Sequence, residues 1–345
     1  MFFAKEESEK AEARTRADRW LNEATETAQR SLRTGKGDTL LVADFVLGSA
    51  SNDKEAYSEA IPLHTRVAAG NVTECESDLS ERAVDDLVSE NDNAGHREDA
   101  ERWFKIYASK YQLYPYEWDR AGDRRWVLKD WSGSATAYES AARGGSTYYG
   151  YDYCYAAKAR YFETPTNADV LLADGRACVD ASLKSSKEDK HYFDDSLPDV
   201  YADMADVLEQ RGVYQGALEY AREAVSLKPD DARGLHEEAE IFSDLNQFNE
   251  CISAAEAAIR ASDGKFSYMH FRLGWCYFRT ENWTMAENSF RIAAEGDKTD
   301  FVSAFDLGLS LRNEGRTLDG NEWLREALRR NPDSETRTKI LNLLQ

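Results

Sequence analysis

The sequence predicts an all-α protein, an α-solenoid of stacked antiparallel helix pairs. Only 6 prolines occur among 345 residues, so long helices are permitted. Isoleucine is scarce and alanine is frequent, which favours helix over sheet. The strongest signal is an internal repeat, because small residues return at intervals of 34 or 35 residues. A period of this length is typical of repeated helix pairs.

The clearest repeat begins at Pro198. With Pro198 as position 1, a small residue stands at position 8, an aromatic at 17, alanines at 20 and 27, and a proline at 32. These residues are Ala205, Tyr214, Ala217, Ala224 and Pro229. The pattern recurs in register from Ala232, Ser267 and Phe301. Two antiparallel helices approach most closely where side chains are smallest, so we expect Ala205 to face Ala217.

This pattern resembles the tetratricopeptide repeat, whose small residues at positions 8, 20 and 27 and proline at 32 it shares. The resemblance implies a right-handed superhelix in which the first helix of each unit lines a concave groove. Weaker copies begin at Glu81, Pro115 and Tyr149, again 34 residues apart. A single pair cannot bury its apolar face, so the stability of such an array depends on contacts between neighbouring units.

The repeats predict five regions. Residues 1-80 form a helical region that is either a degenerate repeat or an interaction arm. Residues 81-182 hold three divergent units, and residues 183-197 form a polar break. Residues 198-334 hold the four clearer units, and residues 335-345 form a capping helix that covers the end of the stack.

The charge of the chain restricts its partners. The formal net charge is -21. Nucleic acid binding depends on neutralised phosphates, and anionic membranes repel an acidic protein, so neither is expected. A protein or peptide partner with basic and apolar residues is favoured. The alternative is that the acidity serves solubility or life in a saline environment.

The five cysteines are scattered, and no CxxC pair occurs. We therefore expect small core residues in a reducing compartment. The chain becomes charged directly after Met1-Phe2-Phe3, so no secretory signal is expected. Together these observations predict a cytoplasmic protein.

The resemblance implies that positions 2, 5, 9 and 12 of each first helix point into the groove, and spacings of three and four do keep residues on one helix face. At these positions the groove is acidic in its earlier part, and aromatic and apolar in its later part. The predicted partner-binding residues are Asp206, Glu209, His236, Glu240, Tyr268, Phe271, Trp275, Phe278, Phe305, Leu309 and Arg312. The alternative is that closure of the superhelix buries the aromatic side chains internally.

Known catalytic spacings do not occur: there is no GxSxG, HExxH or GxxxxGK[ST]. The sequence therefore predicts no enzyme activity, no cofactor and no metal site. The favoured function is a non-catalytic scaffold that binds a peptide or partner protein in the groove. Two alternatives are a regulatory or sensor subunit of a separately encoded enzyme, and a hydrolase with an unrecognised site, for which His64 and Cys75 could pair in space.

Overall fold

The computed structural model describes residues 22–31, 33, 38–52, 55–69, 78–144, 150–163 and 168–345. Within these residues all regular secondary structure is helical, and neighbouring helices pack as pairs. The predicted all-α fold of stacked helix pairs is thus confirmed. The chain separates into two compact units, Met1–Gly144 and Gly145–Gln345. The finer division of the chain, with a break at residues 183-197, stays a prediction.

The first unit contains seven helices in its described residues. The described part of α1 covers residues 22–31, and the others are α2 (Asp38–Asn52), α3 (Tyr57–Ala69), α4 (Asp78–Asn93), α5 (Arg97–Lys110), α6 (Pro115–Val127) and α7 (Trp131–Arg143). Helix α6 begins with a proline, and the Tyr114 backbone N–H donates to Glu117 Oε2 at 2.5 Å. Proline at the first helical position has a favourable φ, and the carboxylate pairs an otherwise free N–H.

A buried arginine joins the helices of this unit. The side chain of Arg124 is 1% exposed, and its Nη1 lies 2.6 Å from Asp92 Oδ2. Its Nε lies 3.2 Å from Glu101 Oε2, and the guanidinium stands over the Phe104 ring. A buried charge is tolerated only when it is paired in this way, so Arg124 specifies the packing of α6 against α4 and α5.

In the part of the second unit that the structure describes there are twelve helices. They are α8 (Asp152–Phe162), α9 (Ala168–Lys184), α10 (His191–Asp194), α11 (Leu197–Gln210), α12 (Tyr214–Leu227), α13 (Ala232–Asp244), α14 (Phe248–Ala261), α15 (Ser267–Arg279), α16 (Trp283–Gly296), α17 (Phe301–Asn313), α18 (Thr317–Arg329) and α19 (Ser334–Leu343). The pairs are α8/α9, α11/α12, α13/α14, α15/α16 and α17/α18, and α12, α14 and α16 each pack on the first helix of the next pair.

The turn inside each pair has one recurring backbone feature. A residue with positive φ stands at position 15 of six repeats, and these residues are Gly95, Lys129, Gly212, Asn246, Glu281 and Gly315. A left-handed residue just after a helix satisfies its last carbonyl groups and reverses the chain. Only half of these six residues are glycine, which is why residue types alone did not reveal the feature.

Small residues permit the close crossing of α17 and α18. A Cβ added to Gly320 would lie 2.7 Å from the Gly308 carbonyl oxygen. The two glycines occupy positions 20 and 8 of their repeat, where the sequence pattern requires small side chains. The backbones of the two helices therefore touch at this point.

We expect Gly320→Ala to lower the free energy of unfolding by about 1–3 kcal/mol, because the added methyl group meets backbone that cannot move aside. The matched control is Gly216→Ala on α12, where the added Cβ would meet side-chain atoms alone, Leu208 Cδ1 at 3.3 Å and Val213 Cγ1 at 3.6 Å. The control should change stability by less than about 0.5 kcal/mol. Urea unfolding of both variants measures the difference, and equal losses would refute the close crossing.

Helix α19 closes the end of the second unit. Asp333 Oδ1 accepts hydrogen bonds from the backbone N–H groups of Glu335 and Thr336, both at 2.9 Å, and so caps the helix. Ile340 is fully buried against the preceding pair. Arg312 Nη1 on α17 donates to the Leu343 carbonyl oxygen at 2.8 Å.

Two disulfides correct the expectation for the cysteines. Cys154 on α8 is bonded to Cys178 on α9, and Cys251 on α14 is bonded to Cys276 on α15. The expectation of separate thiols is wrong for these four residues. The bonded cysteines are 24 and 25 residues apart in sequence, and they become neighbours only when the helices pack against each other. Cys75 lies outside the described residues. Disulfides are typical of oxidising compartments, so the cysteines give no support to a cytoplasmic location, which stays a prediction.

Candidate functional site

A pocket of about 610 Å³ opens on the first helices of four successive pairs in the second unit. Helices α8, α11, α13 and α15 all contribute to it, together with the residues that lead into α13 and α15. Its walls are formed by Tyr161, Asp206, Glu209, Asp231, Ala232, Arg233, His236, Glu237, Glu240, Phe266, Tyr268 and Met269. Concave sites with a few convergent polar groups are the usual places for ligands.

Helix periodicity brings the polar side chains together. Asp206 and Glu209 are three residues apart on α11, and α13 contributes side chains spaced by three, one and three residues from Arg233 to Glu240. Such spacings place residues on one face of a helix. Asp231 caps α13 by accepting a hydrogen bond from the Gly234 backbone N–H at 3.1 Å.

One side of the pocket is held by Tyr161 and Arg233. The Tyr161 hydroxyl donates to Asp206 Oδ2 at 2.6 Å. The Arg233 guanidinium stands 4.9 Å from the centre of the Tyr161 ring and donates to Asp203. The divergent α8/α9 pair and two of the clearer pairs are therefore connected at the pocket wall.

The other side of the pocket is held by Arg272 on α15. Its Nε donates to Glu240 Oε1 at 2.6 Å, and its Nη1 donates to Ser243 Oγ at 2.9 Å. The His236 ring meets the Tyr268 ring edge-on at 4.7 Å. Burial lowers the pKa of His236 to about 4, and the charges of Arg272 and Arg233 act in the same direction. His236 is thus neutral near pH 7.

The carboxyl groups outnumber the cations in and beside the pocket. Besides the capping Asp231, six carboxyl groups face two guanidinium groups, those of Arg233 and Arg272. The six belong to Asp203, Asp206, Glu209, Glu237, Glu240 and Asp244. The pocket is therefore electronegative whenever these groups are ionised.

Crowding and burial raise the pKa values of two pocket carboxyl groups. Burial raises the pKa of Glu237 to about 8, and the charge of Asp206 adds to the rise while Arg233 opposes it. Burial raises the pKa of Glu209 to about 7, helped by a hydrogen bond with Asp244. Both groups therefore hold protons for part of the time near neutral pH.

Known structures share the fold. No protein-family model matches the sequence, and no curated protein matches it. The C-terminal part of a TPR repeat-containing protein from Cytophaga hutchinsonii aligns with a TM-score of 0.53 and 13% identity, over 76% of this chain and 99% of that chain. The chain has a tetratricopeptide-repeat fold. A chain of the APC/C hetero-tetramer Cut9-Hcn1 aligns with a TM-score of 0.52 and 11% identity, over 96% of this chain and 59% of that chain.

Five of the eleven predicted partner-binding residues line the pocket of this tetratricopeptide-repeat unit. They are Asp206, Glu209, His236, Glu240 and Tyr268. The structure thus brings the acidic residues of the groove together, with one aromatic residue at their edge. That any of the eleven binds a partner stays a prediction.

The other predicted residues of α15 lie along the same helix but outside the pocket lining. Phe271, Trp275 and Phe278 are half-buried and pack against the core of the second unit. The rings of Trp275 and Phe278 are stacked at 6.1 Å, and the Phe278 ring meets Trp283 edge-on at 5.0 Å. Each side chain is therefore partly in the core and partly accessible, and the Arg279 guanidinium stands 5.6 Å from the centre of the Trp275 ring.

The three predicted residues of α17 lie still further along the repeat stack. Phe305 is half-buried and packs against a small cluster with Leu324 and Ile340. Leu309 is also half-buried. The Arg312 guanidinium forms intramolecular hydrogen bonds, donating to the Leu343 carbonyl oxygen and to the Asn321 side chain.

Seven residues of the pocket lining are not among the predicted partner-binding residues. They are Tyr161, Asp231, Ala232, Arg233, Glu237, Phe266 and Met269. Arg233 stands at groove position 2 of its repeat, so the repeat pattern does place it in the groove. Tyr161 belongs to a divergent repeat whose register was weak. Glu237 stands at position 6, outside the four groove positions, although it lies one turn from Arg233 and so on the same face.

The histidine considered for a hydrolase is enclosed in the first unit. His64 on α3 is fully buried, with Nδ1 at 2.8 Å from Glu90 Oε1 and Nε2 at 3.2 Å from the Phe45 carbonyl oxygen. Burial acts to lower its pKa, but the hydrogen bond and charge of Glu90 and the charge of Asp86 raise it overall. Both ring nitrogens thus connect α3 to α2 and α4. Cys75, its suggested partner, lies outside the described residues.

Proposed function

We propose that the second unit is a non-catalytic scaffold that binds a partner protein or peptide on the face of its first helices, with the pocket at the centre. The observation that carries the proposal is the pocket itself, since four successive pairs contribute side chains to it. Its excess of carboxyl groups suits a basic partner, because complementary charge steers association and fixes register.

Apolar anchors for the partner stand beside the acidic pocket. Phe266 is 45% exposed and Tyr268 is 48% exposed, and their rings lie 5.6 Å apart. Trp275 and Phe278 continue the apolar surface along α15 as a half-buried stacked pair. Exposed aromatic side chains of this kind supply much of the binding free energy at protein interfaces.

Photo-crosslinking tests the proposal. A photo-reactive amino acid placed at Tyr268 is expected to capture a partner at least about tenfold more often than one placed at Leu318, since rim residues lie against a bound partner. Leu318 is the matched control because it is 82% exposed but lies on α18, outside the pocket lining. Mass spectrometry of the crosslinked products measures the ratio. Equal capture from both positions would show that the pocket face is not a preferred binding surface.

A further inference from the structure

The pocket already binds guanidinium groups of its own chain. Arg233 combines a carboxylate with a flat aromatic face, since it donates to Asp203 and stands over the Tyr161 ring. Arg272 combines a carboxylate with a hydroxyl, through Glu240 and Ser243. These are the two contacts that arginine makes best, a forked hydrogen bond and stacking on a ring.

Two pocket carboxyl groups make no hydrogen bond to Arg233 or Arg272 within the described residues, although the charge of Arg233 acts on Glu237 and that of Arg272 acts on both Glu209 and Glu237. Within the described part of the chain, no hydrogen bond or ion pair of the Glu237 carboxyl group is present. Burial, and then the neighbouring carboxyl group of Asp244, raises the pKa of Glu209. Two ionised carboxylates repel each other, and a cation placed between α11 and α13 would reduce that repulsion.

The side chains of the pocket suit an organic cation better than a metal ion. Among the described residues, no group of three or more histidine, cysteine, aspartate or glutamate side chains is arranged to hold a metal ion. The pocket of about 610 Å³ is also far larger than one ion requires, and the rings of Tyr161, Phe266 and Tyr268 form part of its walls. A flat cation on a long apolar stem can pair with the carboxylates while its stem packs against the rings.

Building on the proposed function, we infer that the pocket receives an arginine side chain of the partner, with its guanidinium between Glu209 and Glu237 and its stem against Phe266 and Tyr268. Lysine would satisfy the charge, but its compact ammonium has three donors and stacks poorly on rings. A planar group with five donors can bridge carboxylates that come from two different helices.

Proton release accompanies the binding of this cation. The charged and titratable groups around Glu237 come from α8, α11, α13 and α15 and the turns beside them. They are Tyr161, Asp203, Asp206, Glu209, Asp231, Arg233, His236, Glu240, Asp244, Tyr268 and Arg272. A bound guanidinium favours ionised carboxylates. Protons are therefore released when the guanidinium binds at a pH below the pKa of Glu237. Affinity should therefore rise with pH and level off above that pKa.

The test uses the full chain and three short probes, acetyl-Ala-Xaa-Ala-amide with arginine, lysine or citrulline, titrated by NMR. At about pH 8 we expect the arginine probe to bind at least about tenfold more tightly than the uncharged citrulline probe and about threefold more tightly than the lysine probe. From about pH 6 to about pH 8 its affinity should rise at least about tenfold. Glu237→Gln should remove about tenfold of the affinity at pH 8, and Leu318→Ala should remove none.

Each failure has a distinct meaning. Equal binding of the arginine and citrulline probes would overturn the cation site, and equal binding of arginine and lysine would overturn the choice of arginine. If Glu237→Gln does not fold by circular dichroism, Glu209→Gln takes its place, because that residue faces the same cation. Partner capture from Tyr268 with no binding of the arginine probe would leave the proposed function intact and refute only this inference.

Discussion

Replacing Phe290 with alanine is expected to lower the free energy of unfolding by about 3–5 kcal/mol, because a fully buried aromatic side chain is lost and a cavity remains. Phe290 lies on α16 and is completely buried. Its ring occupies the space opposite Gly274, where an added Cβ would come within 2.7 Å of it. Urea unfolding followed by circular dichroism measures the loss.

The matched control lies two residues away in sequence. Ile292 is on the same helix but is 49% exposed, so Ile292→Ala should change stability by less than about 0.5 kcal/mol. A similar loss for both variants would contradict the assignment of Phe290 to the core. A third variant, Gly274→Ala, should also destabilise the unit, since its methyl group would overlap the Phe290 ring.

The same ring supports the aromatic residues of the groove. The Phe290 ring centre lies 5.7 Å from that of Phe271 and 6.4 Å from that of Phe278. The inner edges of these two groove residues thus rest on the core, while their outer parts stay accessible. A loss of Phe290 should therefore loosen the surface on which we expect the partner to bind, as well as destabilise the fold.

The helix pairs could be predicted because their physical requirements are local. Close crossings need small side chains at fixed positions, and residues such as Ala205, Ala217 and Gly308 are all fully buried or in backbone contact. The predicted start at Pro198 falls one residue after the first residue of α11, and those at Ala232, Ser267 and Phe301 fall on the first residues of α13, α15 and α17.

The pocket could be predicted only in part, because it depends on side chains from different repeats. The groove positions identified Asp206, Glu209 and Glu240, since periodicity along one helix suffices for them. The partners of these residues are distant in sequence: Tyr161 is 45 residues from Asp206, and Arg272 is 32 residues from Glu240. One chain without its relatives contains no signal for such pairs.

The disulfide between Cys251 and Cys276 has the second largest expected effect. It connects α14 to α15 and so joins two neighbouring pairs, whereas the other disulfide lies within one pair. Cross-linking residues 25 positions apart restricts the unfolded chain, which corresponds to about 3–4 kcal/mol of stability. The double variant Cys251→Ala with Cys276→Ala is expected to lose about this amount in urea unfolding without reductant.

Reduction of the unmodified chain separates the stability that comes from the disulfide bond from the stability that comes from side-chain packing. All four bonded cysteines are fully buried, so the alanine variant also loses some buried volume. Dithiothreitol leaves that volume in place and removes only the bonds, and it should still lower the stability of the unmodified chain by several kcal/mol. The double variant should respond less to reductant, since only the bond between Cys154 and Cys178 remains. An unmodified chain whose unfolding is the same with and without reductant would show that the thiols are free. The packing of α15 beside the pocket would then depend on side-chain contacts alone.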